Sequence, residues 1–163
     1  MPLRTERIAK LGLLLALGMI LSYVESLFPI APSVPGIKIG LANILAVLLL
    51  YSYGGRACIL YQGARIFLTA LLFGSFYSGI YSLAGAAISL MVMILLKRTK
   101  LMDMEGVSMA GGVFHNIGQL LIAFMFVQNT AIFGYLPILL IAGAVSGYLM
   151  GMAGEILIKR RLL

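Results

Sequence analysis

Short basic clusters alternate with long apolar stretches, and this alternation restricts the folds open to the chain. The clusters are Arg4, Arg7 and Lys10, then Arg56, then Lys97, Arg98 and Lys100, then Lys159, Arg160 and Arg161. Between successive clusters lies enough apolar sequence to cross a bilayer twice, at about 20 residues per crossing. Lys and Arg near spanning segments stay on the cytoplasmic side. Ten of the twelve basic residues share that side if the chain crosses six times with both termini inside. Lys38 and Arg65 are left over and need their own explanation.

Composition points the same way. The 163 residues are 62% hydrophobic and 10% charged, with a mean hydropathy of +1.09, where a soluble domain carries about a quarter charged residues. Helices satisfy their own backbone groups, so a lipid-facing bundle accommodates such a chain. The net charge of +7 gathers at predicted helix ends, where it fits contact with anionic membrane lipid. It does not form the basic stripe of a nucleic-acid-binding surface, so no nucleic-acid partner is expected. Cys58 is the single cysteine, which excludes an internal disulfide. Residues 4–21 resemble the opening of a signal peptide, but no small-residue cleavage site follows, and a retained first helix is expected.

Six helices are predicted, over residues 8–28, 39–53, 57–73, 79–96, 107–127 and 136–158. The second is short for a full crossing. Pro29, Pro32, Pro35 and Gly36 form a loop after the first helix, and Gly54 and Gly55 a tight turn before the third. The expected fold is therefore an all-α bundle of six transmembrane helices, one domain over residues 1–163, located in the cell membrane. Small residues recur at spacings of four: Gly12 and Ala16 on the first helix, and Gly143, Gly147 and Gly151 on the sixth. Such stripes let helices approach closely in lipid. The sixth-helix stripe is expected to pack inside the bundle, whereas the first-helix stripe suits either the bundle or another membrane subunit.

Several chemistries are missing. There is no G-x-x-x-x-G-K-[ST] phosphate loop, so the chain has no such route to ATP. Asp103 is the only aspartate, and a prenyl diphosphate synthase needs clustered carboxylates to hold Mg²⁺. One His and one Cys fall short of a zinc site. No catalytic residue, metal or cofactor is expected, and the chain is not read as an enzyme.

Ionisable and polar groups at membrane depth are costly and usually functional. Arg65 lies near the middle of the third helix, and its planar fork suits a carboxylate or phosphate. A structural ion pair with Glu25 is the competing role. Gln62, three residues earlier, shares its face. Lys38 stands at the start of the second helix, either to help hold an anion or as a solvated interface lysine. Asn43 follows about one turn inside, to cap the loop or to touch a ligand. On the fifth helix His115 and Gln119 are four apart and share a face, with Asn116 beside them. Ligand contact and interhelical hydrogen bonding are both open to this trio. In the turn after the third helix, Tyr77, Ser78, Tyr81 and Ser82 are either interface anchors or a cover over a pocket.

Four stretches carry a family resemblance: residues 21–26 (LSYVES), 35–43 (PGIKIGLAN), 81–85 (YSLAG) and 115–119 (HNIGQ). They resemble the Gx transporter family, also described as heptaprenyl diphosphate synthase component I. That family is in turn similar to the substrate-binding S-components of energy-coupling-factor transporters. The resemblance implies six helices, capture of a vitamin or similar solute, and docking onto a transmembrane coupling subunit driven by two ATPase subunits. It also implies that Gly12 and Ala16 stand where the docking stripe lies, with Gly in place of the first Ala. The leading expectation is thus a solute-capturing subunit for a small anionic, partly hydrophobic molecule. The alternative is a non-catalytic membrane subunit beside a synthase in quinone or polyprenyl diphosphate synthesis. A third reading is a proton-coupled carrier using Glu25 and His115.

Overall fold

The computed structural model describes residues 4–27 and 40–160. Lys38, the Pro-rich loop and Arg161 lie outside the described residues, so the expectations placed on them are not addressed by the structure. Among the described residues there are six α-helices, one 3-10 segment and no strand. The helices are α1 (Arg4–Leu27), α2 (Asn43–Ser52), α3 (Gly55–Leu72), α4 (Phe76–Thr99), α5 (Met104–Val127) and α6 (Leu136–Lys159), with the 3-10 segment Thr130–Tyr135 before α6.

Helix ends follow local chemistry. The first helix begins earlier than its apolar pattern, and Glu6 and Lys10 pair across one turn there at 3.3 Å. The start of α4 also precedes the apolar run, because Ser75 and Ser78 form a reciprocal capping box. The second helix is shorter than the expected 39–53. It begins after Gly40, whose φ of +78° favours glycine. Its ten residues span only about 15 Å, half the thickness of a bilayer's hydrocarbon core.

Contacts fix the helix directions. Gly143, Gly147 and Gly151 of α6 run antiparallel along Gly112, Ser108 and Glu105 of α5. A Cβ at Gly147 would lie 2.6 Å from the Ser108 carbonyl oxygen, so the stripe belongs inside the bundle. The α4–α5 approach is equally close: a Cβ at Gly118 would lie 2.9 Å from Gly85 Cα. α1 packs on α3 in parallel, with Gly18 making room for the Tyr61 hydroxyl and Ser22 reaching Arg65. Helices α1, α3 and α5 therefore point one way, and α2, α4 and α6 the other. Every basic residue from residue 7 to 160 except Arg65 and the undescribed Lys38 thus lies toward one end.

The short α2 forms the centre. Leu45 to Leu50 are all buried, as expected for a helix apolar on every side. Its last turn carries no basic residue of its own, but Lys97 of α4 donates to the Leu50 carbonyl, where a cation offsets the negative helix end. The same ammonium sits 4.6 Å from the Tyr51 ring centroid, and the Arg7 guanidinium 5.5 Å from that of Tyr53.

The outside of the bundle is apolar. Leu13, Ile20, Leu60, Phe67, Met125 and Ile141 are all exposed, an arrangement that suits hydrocarbon rather than water. Four of the helical segments, α1, α4, α5 and the run from Thr130 through α6, are long and apolar enough to cross a membrane. α3 has the length, at 18 residues, but Gln62 and Arg65 interrupt its apolar character.

Candidate binding site

The helix directions bring the intramembrane polar groups together. A cavity of about 290 Å³ lies toward the end opposite the basic clusters, close to the lower limit of the ~300–1,000 Å³ usual for small-molecule sites. Arg65 and Thr69 reach it from α3, His115, Asn116 and Gln119 from α5, and Glu25 from α1, with Asn43 at the start of α2. Six of the eight proposed ligand residues thus share one cavity. Gln62 stands behind it and Lys38 is outside the described residues.

Arg65 is the fixed charge of the site and is only 9% exposed. Its Nε donates to Gln62 Oε1 at 2.9 Å, and one terminal amino group donates to Ser22 Oγ at 2.7 Å. Among the described residues no carboxylate closes to ion-pair distance with it; the ion pairs there are Lys10–Glu6 and Lys159–Glu155. Two neutral acceptors therefore orient the guanidinium, and Glu25, on the same cavity, acts on its charge from beyond ion-pair distance. Glu25 also has a backbone partner. Its carboxylate accepts the Gly40 backbone N–H just before α2, where the positive helix end favours an anion.

The α5 trio divides its work. Asn116 Nδ2 donates to the Leu139 carbonyl of α6 at 2.7 Å, an interhelical bond of the kind that ties helices in lipid. His115 and Gln119 flank the point where Gly85 lets α4 come close: a Cβ there would meet His115 Cε1 at 2.9 Å and Gln119 Cγ at 3.0 Å. Both line the cavity. Gly12 and Ala16 are exposed on α1, and nothing lies within 4 Å of a Cβ built on Gly12.

Most of the polar residues singled out in the sequence lie on the third and fifth helices and around the start of the fourth. The structure adds Ser22 and Ser26 of α1, on either side of Glu25, and Ser146 of α6. Ser22, Glu25 and Ser26 have i, i+3, i+4 spacing, a polar face that was legible. Ser146 carried no such signal. In the first turns of α4, Ser78 and Ser82 line the cavity, whereas Tyr77 is exposed and packs on Phe126 at 5.8 Å between ring centroids.

Among the described residues no group of three or more His, Cys, Asp or Glu side chains is placed to hold a metal ion. No curated protein and no solved structure matches the chain. The family described as heptaprenyl diphosphate synthase component I matches residues 14–157. That span holds the whole cavity lining and all six helices apart from residues 4–13 of α1 and 158–159 of α6, and the chain belongs to the heptaprenyl diphosphate synthase component I family.

Proposed function

We propose that the chain is the solute-capturing membrane subunit of an ATP-driven uptake complex, similar in role to the S-components of energy-coupling-factor transporters. The observation that carries this reading is a buried Arg65, oriented by neutral acceptors with no carboxylate at ion-pair distance among the described residues, in a polar cavity at the end away from the basic clusters. With those clusters held in the cytoplasm, all six helices lie in the membrane, both termini are inside, and the cavity faces outward. A fixed guanidinium suits a carboxylate or phosphate, and the apolar surroundings suit a partly hydrophobic body, such as a vitamin or an isoprenoid or quinone precursor. The sequence has no phosphate loop, so the energy comes from partners: a transmembrane coupling subunit and two ATPase subunits. The exposed Gly12 and Ala16 are the surface on which that coupling subunit docks.

The family description favours a second reading, a non-catalytic membrane subunit beside a heptaprenyl diphosphate synthase. With Asp103 as its only aspartate, this chain would rely on a separate carboxylate-rich partner to hold Mg²⁺. Affinity purification of the chain from its native membrane separates the two. Capture needs subunits with ATP-binding phosphate loops in stoichiometric amounts. A soluble Asp-rich synthase in their place selects the second reading.

A further inference from the structure

A second cavity, of about 420 Å³, lies between α4, α5, the 3-10 segment and α6. Its lining is of opposite character to the first, with Leu120, Ala123, Val127, Ile132 and Leu139 making half of it, beside Tyr81 and Tyr135. Yet the two are neighbours, because Ser78, Ser82 and Gln119 line both. Ser78 is engaged in capping α4. Ser82 and Gln119 are thus left as the polar groups at the boundary. A charged chamber and an apolar chamber of this kind, meeting at a short polar wall, match a molecule with a charged end and an apolar end.

We infer that the two cavities form one bipartite site for an amphiphilic anion, with its head on Arg65 and its apolar chain passing Gln119 into the chamber bounded by α4, α5 and the 3-10 segment. This rests on the reading of Arg65 as an anion-binding residue and adds where the apolar part goes. Gln119 and Ser82 meet the atoms that join head to chain. The volume of the second chamber then limits chain length, so the site selects by length as well as by charge. Each methylene that leaves water raises affinity about fourfold when fully buried.

The test uses the full chain in lipid nanodiscs and the water-soluble series methyl, butyl and hexyl phosphate, with the matching alkanoates. Isothermal titration calorimetry gives each Kd, and empty nanodiscs supply the correction for partitioning into lipid. Wild-type protein should bind hexyl phosphate or hexanoate at least tenfold more tightly than the shortest member. Ala123→Phe, which fills the apolar chamber from α5, should reduce that preference to under threefold. Ile132→Trp fills it from the 3-10 segment and should do the same, so the test survives if one variant fails to fold. A length preference that persists in the filled variants overturns the inference, since the chain then lies in bilayer or elsewhere. Binding of the short members with no gain from length overturns it too, while leaving the Arg65 reading intact. If no member of either series binds, the anion-capture reading itself fails, and the inference with it.

Discussion

Replacing Arg65 by Lys keeps the positive charge but removes the planar fork. Because the guanidinium is oriented by Gln62 and Ser22, the account expects Arg65→Lys to weaken binding of a planar anion about tenfold or more in the protein that stays folded, whatever the loss of those two bonds does to the melting temperature. A purely structural Arg65 gives a lowered melting temperature and unchanged affinity in the protein that stays folded. Gln119→Leu should also cost about tenfold, since an unmatched polar group in a buried site costs ~1–3 kcal/mol; equilibrium binding to the purified variant checks it. Arg65, His115 and Gln119 were legible in the sequence because charge and amide groups are rare and costly in lipid. The partners that orient Arg65 were only half legible. Gln62 shares its helical face, but Ser22 reaches it from a helix 43 positions away in sequence, and no local pattern encodes that meeting.

Small residues on two helices look alike in sequence and differ in the fold. On α6, a side chain at Gly147 would drive into the α5 backbone, with a Cβ only 2.6 Å from the Ser108 carbonyl oxygen. Gly147→Leu should therefore destabilise the bundle by at least the ~1–3 kcal/mol typical of overpacking, read as a lower melting temperature. On α1, Gly12 and Ala16 are exposed, so replacing both with Leu should leave melting temperature and ligand affinity near wild type while abolishing assembly with the coupling subunit. Normal assembly of that double variant would remove the docking role. Element boundaries were legible where Pro, Gly and basic residues punctuate the chain. The ends of α2 were not: residues 39–53 read as a helix short for a full crossing, and only the turn at Gly40 and the Lys97 cap on Leu50 define where it starts and stops. The second cavity was equally hidden, because Leu120, Ala123 and Leu139 read as ordinary lipid-phase residues and a void between them leaves no periodic trace.

At the scale of the whole molecule, alternating helix directions gather the basic clusters at one end and the polar cavity toward the other. On the proposed topology, with the basic clusters held in the cytoplasm, Arg65 faces the outer side. Cys58 is fully buried, so a single cysteine added at residue 162 reports on sidedness with little background. A membrane-impermeant maleimide should fail to label it in intact cells and should label it after permeabilisation; efficient labelling of intact cells would reverse the topology. The central claim is that the cavity around Arg65 holds a small anion. Native mass spectrometry of the full chain, gently purified from its own membrane, addresses it most directly, with wild type and Arg65→Gln compared side by side. The account predicts a stoichiometric small anionic adduct on wild type and its loss from the folded variant. The same adduct at the same occupancy on both proteins would contradict it.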